Sequence, residues 1–293
     1  MELSSTPTAS ARPGGPDVFL FGVSKAASTW IHRCLLEHPE VFVPQSDSLR
    51  FFDLRYHEGI ESYEAHFAAA MPGQVKVDAS PTYLRSPVAA RRVAHHYPQA
   101  RFVISLRNPV ERAFSQFWHE KKFGRIDYSF EEAIEHLMFF PWFVEHGFYA
   151  RHLERLFAFF PRDRVAVVLY EDLVADPRHF LDAVLRSMGL QAGFSPSTLG
   201  RRVNEAAPRM TGSMKVARGL RGVEWLRPLR RAVKRISGRQ NLLRDLGNAV
   251  SDRNEYERGM SEPARQLLRS IYQQEILDLE ALIGLDLSRW REQ

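Results

Sequence analysis

The chain has 293 residues, of which 44% are hydrophobic and 26% charged, and its formal net charge is +5. That length allows one large α/β domain or two small ones, and the apolar and charged fractions are those of an ordinary globular protein. A single cysteine, Cys34, excludes an internal disulfide, and no apolar run reaches the length of a membrane span.

Residues 1–16 are rich in Ser, Thr, Pro, Ala and Gly and read as a disordered leader, with a single domain expected over 17–293. The leader lacks the basic-then-apolar order of a secretory signal, and a lone cysteine suits a reducing compartment. A cytoplasmic protein without stable membrane insertion is therefore expected. The first element, Val18–Val23, is a short apolar run typical of a strand buried in a parallel sheet. It leads into Ser24-Lys25-Ala26-Ala27-Ser28-Thr29-Trp30, a tight turn carrying one lysine and then the start of a helix over Ser28–Glu37. Helix-start N–H groups, the helix dipole and a lysine together form a cradle for a phosphate-like anion. The stretch is not a Walker A loop, which ends in Gly-Lys-Ser/Thr and places that hydroxyl on magnesium. Here Lys25 precedes the hydroxyls and the second glycine is missing. Cys34 falls among apolar residues of this helix and reads as core.

Helical patterns follow at Gly59–Ala70 and Val88–His96, on either side of a strand at Val75–Val77. A third strand, Arg101–Leu106, turns into a helix over Pro109–Lys122, with Asn108 as N-cap and Pro109 at the first helical position. Arg107 thus leaves the carboxyl end of a strand, where open α/β sheets bind ligands. Ser115 lies two turns along that helix, and an arginine fork with a hydroxyl is a good receptor for a terminal phosphate. Arg112 can equally pair with Glu111 or another acid. Further helices are expected over Phe130–Leu137, Tyr149–Phe160 and Pro177–Met188, the last capped by Asp176, with a strand at Val165–Leu169. Strands alternating with helices imply a doubly wound α/β parallel sheet flanked by helices.

Past Gly189 the pattern changes. Thirteen basic residues between Arg201 and Arg244 crowd one segment, so that about 200–260 reads as a basic helical lid or insert. Such a segment is a solvated surface or a receptor for an anion. Trp225 is its one tryptophan and base-stacking aromatics are nearly absent, so no nucleic-acid partner is expected. A last helix, Glu262–Ile283, starts after Ser261 and stops at Gly284, completing a helical C-terminal third.

With these motifs in order, the chain resembles the sulfotransferases that use 3′-phosphoadenosine 5′-phosphosulfate (PAPS), close to the heparan-sulfate-type and bacterial branch. Gly22-Val23-Ser24-Lys25-Ala26-Ala27-Ser28-Thr29-Trp30 resembles that family's 5′-phosphosulfate loop. Arg107-Asn108-Pro109, with Arg112, Ser115, His119 and Gly124, resembles its 3′-phosphate motif. Asp78-Ala79-Ser80-Pro81-Thr82-Tyr83, Tyr170-Glu171-Asp172-Leu173 and Leu285-Asp286-Leu287-Ser288-Arg289-Trp290 resemble further recurring stretches. The resemblance implies a fold like that of the P-loop nucleoside triphosphate hydrolases and a reaction in which an acceptor displaces the phosphate in line at sulfur. Lys25, Ala26, Ala27, Ser28 and Thr29 would hold the 5′-phosphosulfate, Arg107 and Ser115 the 3′-phosphate, and Trp30 would flank the adenine or join the core. Lysine and helix dipole neutralise the leaving phosphate, so no metal is expected. The acceptor is expected to be a hydroxyl or amine of a small molecule or glycan. The oligomeric state is not readable.

The resemblance breaks at the general base. The heparan-sulfate branch has a Lys-Glu pair shortly before Phe-Phe-Asp. Aligned on Phe51-Phe52-Asp53, this chain has Asp47 and Ser48 there. Asp47, Asp53 and His119 are candidate bases, with Asp78 behind them, and an acidic phenol or amine would need little help. The aromatic run Met138–Phe143, with Phe148 and Tyr149, reads either as an apolar acceptor wall or as packing. Two other readings are carried: a PAPS-binding protein whose catalysis is weak or lost at Ser48, and a kinase-like phosphotransferase, which the missing Walker A loop disfavours.

Overall fold

The computed structural model describes residues 14–46, 48–123, 125–136, 140–200, 256 and 258–292. The expected leader up to residue 13, Asp47, Gly124, Met138, Phe139 and the arginine-rich segment 201–244 lie outside the described residues.

Five parallel strands form one sheet: β1 (Val18–Gly22), β2 (Val41–Phe42), β3 (Val75–Asp78), β4 (Arg101–Leu106) and β5 (Val165–Leu169), in the spatial order β2-β3-β1-β4-β5. Four were expected. The fifth, β2, is two residues long and too short to leave a periodic signal. The helices are α1 (Ser28–Leu36), α2 (Ile60–Glu64), α3 (Ala89–His96), α4 (Pro109–Lys122), α5 (Phe130–Glu135), α6 (Phe140–Phe143), α7 (Tyr149–Phe157), α8 (Tyr170–Ala175), α9 (Pro177–Ser187), α10 (Glu262–Ile283) and α11 (Ser288–Glu292). The expected helix Gly59–Ala70 is broken: α2 gives way to a 3₁₀ turn at Ala65–Phe67.

Strand alternation sorts the core into two layers, because successive side chains leave a strand on opposite faces. Phe19 and Phe21 of β1, with Phe102 and Ile104 of β4, join the layer built from α3, α4, α7 and α10. Val18, Leu20 and Val103 face the other way, onto Trp30, Ile31, Cys34 and Leu35 of α1 and Phe180, Leu181 and Val184 of α9. Cys34 is a buried free thiol in that second layer, and burial pushes its pKa up to about 12.

β1 pairs with β3 on one side and β4 on the other. The chain therefore reverses its direction of travel across the sheet between β1 and β4. This is the topological switch point, where open α/β sheets leave a crevice at their carboxyl ends. Val18 pairs with Arg101, Phe19 with Phe102 and Leu20 with Val103, so the loops after β1 and β4 emerge side by side.

A second device fixes the loop at residues 48–52. Asp78, fully buried at the end of β3, accepts hydrogen bonds from Ser80 Oγ (2.6 Å), Tyr63 OH (2.7 Å) and Tyr83 OH (3.1 Å). Ser80 Oγ in turn accepts from the Leu49 and Arg50 amides, at 3.1 and 3.3 Å, and Tyr83 OH from those of Phe51 and Phe52, at 2.9 and 3.3 Å. Desolvation raises the Asp78 carboxyl to about 6, against the lowering effect of its three hydroxyl donors. Asp78 is thus a buried anchor of the loop rather than a reacting base. Tyr83→Phe keeps the ring and strands two amides. It is expected to lower unfolding stability by about 1–3 kcal/mol in urea titrations, and no change would contradict the anchoring role.

Candidate functional site

The loop after β1 is braced from β4. The Val23 amide donates to Ser105 O (2.8 Å), Ser105 Oγ donates to Ala26 O (2.6 Å), and Arg107 Nη1 donates to Lys25 O (3.2 Å). Lys25 and Ala27 both hold left-handed conformations, φ 74° and 70°. Ala27 thus takes the turn that a glycine normally makes at lower cost, at the N-cap of α1, where no side chain caps the helix. A non-glycine held in this region marks a conformation imposed by its surroundings, and such sites cluster where ligands bind. Gly22 is required for a different reason: a Cβ there would lie 2.9 Å from Leu84 Cβ.

Lys25 is half-buried, and its pKa falls to about 8, first from desolvation and then from the nearby Arg107 charge. Glu120 opposes this shift, while Lys122 and Arg112 add to it. Glu120 is buried on α4 and is held by Gln116 Nε2 (2.7 Å) and Arg125 Nη1 (2.9 Å). It is an acid in the field of Lys25 that sequence reading missed; its position one residue beyond His119 was the available signal.

Arg107 is held by groups that motif matching did not assign to it. Its guanidinium lies over the Tyr170 ring, 4.5 Å from the centroid, and its carbonyl accepts from Tyr149 OH (2.9 Å). No carboxylate among the described residues pairs with it. The next residue, Asn108, caps α4 by accepting from the Val110 amide (3.0 Å), donates its own amide to Glu171 Oε1 (2.9 Å), and donates through Nδ2 to Trp290 O (3.3 Å). Tyr170-Glu171 and the chain end at Trp290 therefore converge on the Arg107 turn. Arg289 adds a further link to α8 by pairing with Asp172 at 2.8 Å. Glu111 pairs with Arg265 (2.7 Å), not with Arg112. Arg112 is buried, 1% exposed, and donates to the Phe143 carbonyl.

Ser115 is buried, and no described residue hydrogen-bonds its hydroxyl. His119 lies four residues on, on the same face of α4. Its imidazole pKa is lowered by desolvation and next by Lys25. The structure thus brings Lys25, Arg107 and His119 near one another, with Lys25 two residues before the α1 N-cap, and Ser115 on the α4 face of His119. Trp30 is placed otherwise: it is 5% exposed and packs edge-on against Phe180 at 6.0 Å, so it belongs to the core rather than to an adenine face. Phe143 and Tyr149 are likewise core, while Trp142 is about half exposed, at 49%.

Asp53 belongs to a separate charge group. Its Oδ2 accepts from Thr82 Oγ1 (2.7 Å) and pairs with Arg50 Nη2 (3.3 Å). Its Oδ1 is buried without a partner, as is Ser48 Oγ. Arg55 is not part of this group; it pairs with Glu58 at 2.7 Å. Asp53 and Arg112 both act on Arg85, and Arg112 also acts on Lys25. Among the described residues, no group of three or more His, Cys, Asp and Glu side chains could hold a metal ion.

A five-stranded parallel sheet flanked by helices, with Lys25 and Arg107 at its switch point, defines an α/β protein with a candidate anion site at the carboxyl ends of its strands. Residues 56–195 match the model of the sulfotransferase family, a stretch that contains Arg107 and Ser115. The human bifunctional heparan sulfate N-deacetylase/N-sulfotransferase 2 is 28% identical over 196 residues, covering 60% of this chain and 22% of that protein. The mouse heparan sulfate glucosamine 3-O-sulfotransferase 3B1 is 26% identical over 264 residues, covering 76% of this chain and 64% of that protein. The chain thus spans less than two thirds of the length of these relatives. The crystal structure of a sulfotransferase from Alicyclobacillus acidocaldarius shares the fold, with a TM-score of 0.70 at 22% identity, over 94% of this chain and 98% of that one. The chain is thus similar to the sulfotransferase family, by the family model over residues 56–195 and by these relatives over a longer stretch.

Lys25 is charged below pH about 8 and increasingly neutral above it. A bound phosphate favours the charged form. Affinity for the desulfated nucleotide, 3′-phosphoadenosine 5′-phosphate, is therefore expected to hold up to pH about 8 and then fall by up to about tenfold per unit. Calorimetric titrations across that range check it, and Lys25→Arg should flatten the fall.

Proposed function

We propose that this protein is a PAPS-dependent sulfotransferase that moves a sulfuryl group to a hydroxyl or amine of a small molecule or glycan. The observation that carries the reading is the pairing of Lys25 and Arg107 across the β1–β4 crevice, each free of a carboxylate partner among the described residues. PAPS fits these residues. The α1 N-terminus and Lys25 suit an anion at one end, while Arg107 and the unbonded Ser115 hydroxyl suit a second phosphate at the other. PAPS supplies a sulfuryl group on a phosphate leaving group. Lys25, charged at neutral pH, stands ready to neutralise the negative charge that builds on that phosphate as the S–O bond breaks. The amides at the start of α1 add fixed dipoles that need no reorganisation.

The acceptor proton is assigned to Asp53, whose Oδ1 is buried and unbonded while Thr82 and Arg50 hold Oδ2 in place. His119 shares the α4 face of Ser115 and lies with the nucleotide end, which places it second. Ser48, standing where the resemblance places a glutamate, supports a second reading, in which the protein binds PAPS with weak catalysis. A cytoplasmic location stays part of the proposal and rests on the single, buried Cys34. No described helix is long and apolar enough to cross a membrane.

Lys25→Ala is expected to abolish transfer. Asp53→Asn should lower kcat by about 10²–10⁴-fold with nucleotide affinity unchanged, as removal of a general base does. Both are measured with PAPS and a panel of phenol, alcohol and amine acceptors, in EDTA. Full activity in Lys25→Ala would overturn the assignment. Tight nucleotide binding without turnover on any acceptor would favour the second reading.

A further inference from the structure

Arg85, in the turn between β3 and α3, is half-buried, and among the described residues its side chain is partnered by a histidine alone. Its Nη1 lies 2.9 Å from His146 Nε2, so that nitrogen is the acceptor and the imidazole is neutral. Burial, together with Arg85 and Arg112, pushes the His146 pKa down to about 2. A neutral imidazole cannot balance a guanidinium, and no described carboxylate pairs with Arg85. The groups acting on it are Arg50, Asp53 and Arg112.

Arg50 is built in the same way. It holds a left-handed backbone, φ 54°, pinned by its amide bond to Ser80 Oγ at 3.3 Å. Its Nη2 reaches Asp53, while its Nε is buried without a partner. The Asp53 side chain is only 9% exposed, with Oδ1 unbonded, and Ser48 Oγ, two residues before Arg50, is buried and unbonded as well. One small region therefore holds an unmatched guanidinium at Arg85, an unpaired donor at Arg50, an unpaired acceptor at Asp53 and an idle hydroxyl at Ser48. Buried polar groups left open in this way call for a ligand that completes them. The unsatisfied charge is positive: Arg85 and Arg50 stand against Asp53, with Arg112 behind them, and the other nearby carboxyl, Asp78, is buried with its hydrogen bonds filled by Ser80, Tyr63 and Tyr83.

We infer that Arg85 and Arg50 form an anion-reading subsite for the acceptor, so that the group to be sulfated lies close to a carboxylate or sulfate on the same molecule. The inference rests on the sulfotransferase reading and narrows its acceptor class. Guanidinium forks recognise both anions through paired N–H donors, and Asp53 Oδ1 with Ser48 Oγ would receive the neighbouring hydroxyl or amine. Asp53 also rejects an anion placed on its own side, which orients the acceptor.

The test uses a matched pair, 4-nitrophenyl β-D-glucuronide and 4-nitrophenyl β-D-glucoside, which differ in one carboxylate. Binding is measured by calorimetry on the full chain saturated with 3′-phosphoadenosine 5′-phosphate. The glucuronide is expected to bind about tenfold or more tightly than the glucoside, the scale of one charge-assisted pair. Arg85→Gln should erase the preference, Arg85→Lys should keep part of it, and nucleotide affinity in both should match the parent chain, which also reports an intact fold. Equal affinity for the two sugars, a preference that survives Arg85→Gln, or no glucuronide binding at millimolar concentration would overturn the inference. Failure of the sulfotransferase reading would show differently, as absence of nucleotide binding; the sugar pair, titrated on the free protein, would still decide the subsite.

Discussion

The parallel pairing of β1 with β4 is the constraint from which the site follows. Both strands are central and buried, both turn directly into a helix at their carboxyl ends, and their register brings the two turns together. Lys25 comes from one turn and Arg107 from the other. Ser105, the residue two before Arg107, bonds the first loop through both its carbonyl and its hydroxyl. The anion-binding groups are thus held by sheet geometry, which is stiff, rather than by their own long side chains, which are not. This suits a site where a leaving phosphate must be neutralised without reorganisation.

Like charges so close to one another have a cost, and the structure shows where it is met. The Arg107 guanidinium depresses the lysine pKa, while buried Glu120 raises it. Tyr170 offers Arg107 the face of a ring, which stabilises a cation without cancelling its charge. A carboxylate in that place would leave Arg107 neutralised and less available to a phosphate. Glu171, one residue on, is spent instead on the Asn108 amide. The two neighbours divide the work, with the aromatic residue supporting the charge and the acid supporting the backbone.

How much of this was legible depended on how local each signal is. Strand-to-helix switches at Gly22–Ser28 and Leu106–Pro109 have strong local chemistry: an apolar run, a cap, a proline and a lone cation. They singled out Lys25, Arg107 and Ser115 as candidates and located the helix Pro109–Lys122 to the residue. Trp30 was ambiguous because an indole beside a phosphate loop can face either way; the choice is made by Phe180, 150 residues later, through packing of α9 on α1. The Asp78 network was out of reach for the same reason, since Tyr63, Ser80 and Tyr83 meet only when β3 and the loop at 48–52 are assembled. Arg112 offered Glu111 as a neighbour in sequence, yet adjacent residues on a helix point apart.

The departure at Ser48 gains a physical meaning from the same comparison. Ser48 brings a hydroxyl and no charge to a region that already holds Arg50, Arg85 and Arg112. His146 is held neutral there, first by burial and then by Arg85 and Arg112, and Asp53 has Asp78 as the carboxyl nearby. A region so biased towards positive charge is improved by an anion. What such a site gives up in a base beside the nucleophile, it gains in attraction for an acceptor that carries its own negative charge, and an acceptor held in register by that charge needs less help at the reacting atom.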